Sequence, residues 1–470
     1  MQMRRTKIVA TIGPASRAPE VLTRMVQAGL DVARLDFSHG SRETHAQDAE
    51  RIRAAAAQAG RPVAILLDLP RPRLRVGALQ GGFVELKPSE RLVLLGGSSE
   101  EGNERQMSVG WAGLADNLAL NDHVYVGDGA VRLRVTAVRA AAGEVETVVE
   151  LGGAVASGQG LNIPGSSGGP DAVAEDDLEL VRFGEQIGVD GIALSLVQSA
   201  EDVQKVRQHT RVPLVAKIEK PRAVEAAEEI IRTADCVMVA RSDLGVELPI
   251  EDVPIAQKRL LRIAGHHARL SITATQMLDS MVTSPRPSRA EAADVANAIL
   301  DGTDAVMLSQ ETAIGAYPVD SVAMMASIAE RTEHSLPYKL WNDERVQRDL
   351  RDPSYTIAFS ACAAARDLHV AALVVPTLSG RSARLISAHR PQVPILALSP
   401  GKETVQRCGF MWGVQAASMP RHESFETLIA ATARRVVELG WVKPGQRVGI
   451  TAGLPSGRPG TTSLFQVQEV

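Results

Sequence analysis

The residues best able to do chemistry in this chain stand at the ends of short apolar runs. Arg34, Asp36 and Ser38 close one run and Asp68 closes another. Lys217 and Glu219 lie in VAKIE, and Arg241 and Asp243 follow CVMVA. Thr275 ends LSITAT, and Ser309 and Glu311 follow DAVML. Glu219 and Asp243 can offer hard oxygen ligands of the kind magnesium takes when one or two carboxylates hold it and water and substrate phosphates fill the rest of its shell. Arg34, Arg75, Lys217 and Arg241 supply positive charge. Phosphoryl transfer needs this combination, a metal and cations set against charge spreading over the phosphoryl oxygens. No GxxxxGK[ST] pattern occurs, so a nucleotide would be held without a P-loop. A Ser-His-Asp arrangement is not indicated. The alternative is a salt-bridged rim without chemistry, since strands must meet water somewhere.

The elements that would position these residues follow from alternation. Eight β-branched apolar runs alternate with Ala-rich stretches of helical period: Lys7–Ile12, Val32–Asp36, Val63–Asp68, Asp190–Ser195, Pro213–Ile218, Cys236–Ala240, Leu270–Thr275 and Asp304–Leu308. Between them the pattern predicts helices, among them Pro19–Ala28, Ser41–Ala59, Pro221–Arg232 and Ser288–Leu300. Ser199 and Ser288 are start signals. Eight βα units predict an α/β fold, a closed (β/α)8 barrel with its active groups at the C-terminal strand ends. An open doubly wound sheet is the competing arrangement.

After Asp68 the alternation is interrupted by short runs at Phe83–Leu86, Leu92–Leu95, His123–Val126, Val131–Val138 and Val145–Leu151. They predict a small inserted all-β domain, with Gly165–Pro170 as a flexible return. Beyond a charged stretch, Leu336–Pro353, strands are predicted at Ala371–Val375, Val393–Leu398, Gly413–Ala416, Arg447–Thr451 and Leu464–Val467. These suit a C-terminal α/β sandwich. The expected division is 1–71 with 171–336 for the barrel, 72–170 for the insert and 337–470 for the last unit.

Composition narrows the function. With 45% hydrophobic and 23% charged residues the chain is globular. Only 3% of residues are aromatic, which leaves few stacking platforms for single strands. The net charge is −4 without a long basic run, so no nucleic-acid partner is expected. Cys236, Cys362 and Cys408 are far apart and imply neither a metal site nor a disulfide framework. No apolar run approaches the ~20 residues that span a bilayer. No secretory signal is read at the start. The expectation is a cytoplasmic enzyme with no membrane partner.

Longer motifs carry a resemblance. TKIVATIGPAS, GLDVARLDFSHG (Gly29–Gly40), GLNIPG (Gly160–Gly165), AKIEKP (Ala216–Pro221), VMVARSDLGVELP (Val237–Pro249), ATQMLDSM (Ala274–Met281) and PSRAEAADVANAILDGTDAVMLSQETAIGAYP (Pro287–Pro318) run in this order along the chain. The chain resembles the pyruvate kinase family over essentially its whole length. The resemblance implies a glycolytic enzyme that moves the phosphoryl group of phosphoenolpyruvate to ADP, giving pyruvate and ATP. It implies a barrel, a β-barrel lid and a regulatory C-terminal domain, usually in a homotetramer. By resemblance, Glu219 and Asp243 hold Mg2+ or Mn2+, Arg34 and Arg75 contact the phosphoryl group, and Lys217 neutralises charge on it and on the enolate. Thr275 takes part in protonating the enolate carbon. Backbone N–H groups around Arg241, Ser242 and Asp243 receive the substrate carboxylate, and Pro14 and His39 lie near the nucleotide. Thr377, Ser379, Gly380 and Ser382, in TLSGRS, would hold the phosphate of a sugar-phosphate effector.

Several positions depart from the family pattern. Asp36 stands where Asn is usual, and Pro70 and Arg71 where Lys or Gln and then Gly are usual. Leu196 and Gln198 replace Phe and Arg, Gln159 replaces Lys, and Ser242 and Gln310 each replace Gly. The charged set Arg34, Asp68, Arg75, Lys217, Glu219 and Asp243 is intact. A non-catalytic sugar-phosphate sensor and a lyase acting on pyruvate enolate are the alternatives on this fold. The monovalent-cation region corresponds to Asp36, Ser38, Asp68 and Leu69, with Arg73 at a Glu position. Leu69 has no side-chain ligand to give, and the Arg73 guanidinium would supply the ion's charge. The resemblance therefore implies no requirement for K+, with Asp36 a partner for Arg73.

Overall fold

The computed structural model describes residues 4–70, 74–127, 129–163, 173–346, 352–422, 424–453 and 462–470. Eight parallel strands close into a barrel, each beside its neighbour in sequence: Lys7–Thr11, Val32–Asp36, Ala64–Asp68, Gly191–Leu194, Leu214–Ile218, Cys236–Ala240, Leu270–Ala274 and Ala305–Leu308. All eight expected runs are strands, and the open-sheet alternative is set aside.

The two-residue period of a strand explains how one barrel holds both a core and a polar site. Val9, Val32, Leu66, Ala193, Val215, Met238, Ile272 and Met307 pack together in one cluster inside the barrel. Their sequence neighbours Ile8, Ala33, Leu67, Ile192, Ala216, Val237 and Val306 belong to a second cluster with the surrounding helices, through residues such as Leu22, Val181 and Leu260. Two residues further along the inward-facing set stand Thr11, Arg34, Asp68, Ser195, Lys217 and Ser309. The interior is thus aliphatic toward the strand starts and polar toward their C-terminal ends.

Local signals start the helices where expected. Ser41 caps Arg42–Ala59 by accepting from the Thr44 N–H, and Ser199 and Ser288 form capping boxes with Asp202 and Glu291. The expected helix Pro221–Arg232 is two helices, Pro221–Glu225 and Ala227–Thr233. Ala226 between them has ψ 12, outside the helical well, which kinks the run although its N–H still reaches the Arg222 carbonyl and its carbonyl still accepts from Ile230.

The insert forms a seven-stranded sheet, in order Leu74–Arg75, Gly160–Asn162, His123–Val126, Val131–Arg139, Glu144–Leu151, Arg91–Gly96 and Gln106–Val109. Its outer strands meet at a Val76–Val109 bridge, and the Gly77 N–H donates to the Ser108 carbonyl at 2.8 Å. The sheet therefore curls almost shut, joined at one edge by these contacts rather than by a full ladder. Phe83–Leu86 and Gly153–Ala156 pair beside it.

Within the expected linker Leu336–Pro353, Tyr338–Glu344 is helical, because Tyr338 and Trp341 pack on the barrel's outer cluster. The C-terminal sheet runs Val414–Ser418, Ile395–Ser399, Ala372–Pro376, Arg447–Ala452 and Leu464–Glu469, parallel except for the last pair. It lies against the barrel's N-terminal face, and Ala358, Leu373 and Ile386 share the cluster that fills the barrel interior. Arg390, wholly buried, pairs with Asp304 at 2.7 Å, donates to the Gly302 carbonyl at 2.9 Å, and lies 4.7 Å from the Trp412 ring centre.

Candidate active site

The polar layer is a chain of alternating charges drawn from three strands. The Lys217 ammonium, buried, lies 3.2 Å from Asp68 Oδ1 and 3.1 Å from Glu219 Oε1, and donates to Ser195 Oγ at 2.8 Å. Arg34 pairs through Nε with Asp68 Oδ2 at 2.6 Å, through Nη2 with Asp36 at 3.2 Å, and donates through Nη1 to Thr11 Oγ1 at 3.0 Å. Glu219 also accepts the Leu196 N–H at 2.6 Å. Charges this buried persist only when opposite charges and hydrogen bonds surround them. Here each cation touches at least two oxygens from different elements, so both head groups are fixed before any substrate arrives. Burial pushes the Asp36 carboxyl up, but the Arg34 guanidinium and the Ser38 hydrogen bonds outweigh it and hold the group at about 2.

Backbone strain collects at the same end of the barrel. Leu196, Thr275 and Gln276 have φ of 55, 70 and 52, in the left-handed region that costs side-chain-bearing residues roughly 1–3 kcal/mol each. The seventh strand ends at Ala274, so Thr275 opens a left-handed turn instead of closing the strand. Its hydroxyl donates to the Ala274 carbonyl at 2.6 Å and accepts the Ser242 N–H at 2.9 Å. Ser242 lies in the first turn of the helix Arg241–Glu247, the element expected to receive a carboxylate. The Arg241 side chain turns instead to the carbonyls of Ala274, Thr275 and Gln276 and to Asp294.

The remaining expected residues divide. Glu311, buried, accepts the N–H groups of Leu278 and Ser309 at 3.0 and 2.7 Å, so it ties two loops together; burial pushes its carboxyl up. Leu69 is buried, and its carbonyl accepts from Ser195 Oγ at 3.0 Å. Ser38 uses its N–H on Asp36. Pro14 is exposed, as is His39, whose Nδ1 lies 3.7 Å from Asp36. Arg75 is exposed on the insert and donates to the Gly158 carbonyl at 2.8 Å. Gln159 accepts the Ala156 N–H at 2.7 Å within the insert. Arg71, Arg73 and Gly165–Pro170 lie outside the described residues, and Asp36 has Arg34 as its cation.

At the C-terminal sheet, Thr377 Oγ1 accepts the Gly380 N–H at 2.9 Å, Ser379 is exposed, and Ser382 bonds Thr462 through their hydroxyls. Gly380 has φ +80 and precedes the helix Arg381–Ala388. These residues do stand together at a helix start, with the Thr377 hydroxyl already engaged as a turn cap.

The donor set suits one kind of metal. Among the described residues no three His, Cys, Asp or Glu side chains converge into a cage. Glu219 and Asp243 are the two carboxylates that could hold a divalent metal there, with water and substrate oxygens completing the shell, since a hard cation needs only one or two carboxylates from the protein. Thr11, Ser195 and Asp294 were not anticipated from sequence. For Thr11 and Ser195 the signal existed, since each lies two residues beyond an inward-facing apolar residue.

Comparison with known proteins accounts for both parts of the chain. The description "Pyruvate kinase, barrel domain" matches residues 3–322 and "Pyruvate kinase, alpha/beta domain" matches 355–468. A pyruvate kinase of Geobacillus stearothermophilus is 41% identical over 99% of this chain and 80% of its own length. One of Staphylococcus aureus is 39% identical over 100% of this chain and 81% of its own. The crystal structure of a pyruvate kinase from Cryptosporidium parvum superposes with a TM-score of 0.93 at 31% identity, covering 99% of this chain and 96% of that one. The barrel with its polar rim and the C-terminal sheet on its floor are thus matched along nearly the whole sequence, and the chain belongs to the pyruvate kinase family.

Proposed function

We propose that the chain performs its family's reaction at this polar layer, moving the phosphoryl group of phosphoenolpyruvate to ADP and releasing pyruvate. The observation that carries the assignment to this site is Lys217, held between Asp68 and Glu219 with Arg34 on the other side of Asp68. Two fixed cations at the C-terminal end of the barrel can stabilise charge on a transferring group without reorganising. Glu219 and Asp243 would hold Mg2+ or Mn2+, which supplies positive charge between substrate and phosphoryl group. Lys217 and Arg34 neutralise the phosphoryl oxygens, and Lys217 also faces the enolate. Backbone N–H groups at Arg241–Asp243 take the carboxylate, and the Thr275 hydroxyl takes part in delivering the proton to the enolate carbon. Arg75 must leave the Gly158 carbonyl to reach the phosphoryl group, and Pro14 and His39 line the nucleotide side.

The same reading divides the chain into a catalytic barrel (1–71 and 171–336), a lid (72–170) and a regulatory unit (337–470). It places a sugar phosphate at Thr377, Ser379, Gly380 and Ser382, dispenses with K+ through Arg73, and expects a cytoplasmic homotetramer. The test is an assay with phosphoenolpyruvate, ADP and Mg2+ that follows pyruvate and ATP together. Equal amounts of both are expected. Pyruvate formed without ADP would mean that the phosphoryl group goes to water and would refute the kinase reading; no consumption of phosphoenolpyruvate would leave the lyase, and sugar-phosphate binding without turnover would indicate a sensor.

A further inference from the structure

Two consecutive left-handed residues, neither of them glycine, do not persist unless their surroundings hold them. At Thr275 and Gln276 the holding group is one side chain. Arg241 donates through Nε to the Ala274 carbonyl at 3.2 Å. Through Nη2 it donates to the carbonyls of Thr275 at 2.6 Å and Gln276 at 3.3 Å, and it meets Met277 Sδ at 2.8 Å. A planar guanidinium that gathers three successive carbonyls fixes the peptide planes on both sides of Thr275. What fixes the guanidinium is Asp294, on the helix Arg289–Leu300, whose two oxygens both lie against Nη1 at 2.7 and 2.6 Å. The turn so held presents the Thr275 hydroxyl to the Ser242 N–H at the start of the next element.

We infer that Asp294, acting through Arg241, is a positioning residue for proton delivery: it orients the guanidinium that holds the Thr275–Gln276 turn, and so sets where the Thr275 hydroxyl stands. This rests on reading Thr275 as part of proton delivery. Asp294 acts on the Thr275–Gln276 turn through Arg241, so its loss is expected to act on protonation and to leave nucleotide affinity alone.

The experiment uses the full chain with Asp294→Asn, Asp294→Glu, Thr275→Ala and the Asp294→Asn/Thr275→Ala double variant. Two quantities are read. One is deuterium uptake into the pyruvate methyl group in D2O with Mg2+ and ATP, and the other is forward kcat with KM for ADP. Small displacements of a positioned group cost up to ~10²-fold in rate. Asp294→Asn is expected to slow exchange and kcat at least ~10-fold with KM for ADP unchanged. Asp294→Glu, which keeps the carboxylate, should recover part of the loss. The double variant should be no slower than the worse single one, as for groups acting through one path. If Asp294→Asn exchanges protons normally while Thr275→Ala does not, the inference fails and the reading of Thr275 stands. If Thr275→Ala is itself normal, both fail. Losses that multiply in the double variant would also overturn it. Should Asp294→Asn not fold, Asp294→Glu decides, because unchanged exchange together with a displaced Arg241 in its structure would refute the path.

Discussion

Replacing Lys217 by Met has two consequences that can be sized separately. The ammonium is aimed at a transferring group in a buried site, where one such donor accounts for about 10²–10³ in rate, roughly 2.7–4 kcal/mol of barrier. The same ammonium stands 3.2 Å from Asp68 and 3.1 Å from Glu219, two carboxylates that are almost wholly buried. Removing one member of a buried ion pair costs about 3–5 kcal/mol. Asp68 keeps Arg34 at 2.6 Å and Glu219 keeps the Leu196 N–H at 2.6 Å, which places the loss toward the lower end. Turnover is measured in the pyruvate assay and stability by urea unfolding, each with and without Mg2+. The variant should turn over at least ~10²-fold more slowly, and Mg2+ should restore more stability to it than to the parent, because the ion meets carboxylates no longer shared with an ammonium. Lys217→Arg should not rescue turnover, since a planar fork does not fit a slot shaped for a point charge. Turnover within a few-fold of the parent would refute the placement of Lys217 in the reaction.

Other expectations rest on the family resemblance or on the contacts described above. Activity should be equal in sodium, in potassium or in neither at constant ionic strength, whereas Arg73→Glu should lower it and make it respond to potassium; a strong potassium requirement in the parent would defeat this. A sugar phosphate should lower half-saturation for phosphoenolpyruvate, and Thr377→Ala should blunt the response; a silent panel of such compounds would leave Thr377 as a turn cap. Asp36 is held at about 2, below its ordinary 3.8, so it adds stability above the ordinary value that is lost as pH falls through 2. Asp36→Asn should accordingly unfold at lower urea than the parent at pH 7, with the gap closing toward pH 2, and parallel curves would show that Arg34 does not hold Asp36.

Much of the fold was legible because barrel strands announce themselves twice, by apolar run and by the charged residue that ends it. Lys217, Glu219, Arg34 and Asp68 were found this way and do converge. Short strands such as Leu74–Arg75 and Gly160–Asn162 were not, since two or three residues carry no period. Glu311 was read as part of the polar rim because a strand-end carboxylate looks the same in sequence whether it meets substrate or two loop amides. Asp294 was invisible: it sits on a helix far along the chain, and its importance comes from three carbonyls that only the fold brings to one guanidinium.

The aliphatic column inside the barrel has no wall of its own at the strand starts. The C-terminal unit closes it, with Leu373 and Ile386 packed on the same cluster as Val9 and Ile272, and Arg390 sealed beneath Asp304. The unit acts as a stopper. Pulling it away would wet the column from below and strand a charge on each side of the break. Separation and melting of the barrel are therefore one event, and the floor of the catalytic vessel is built by the last quarter of the chain.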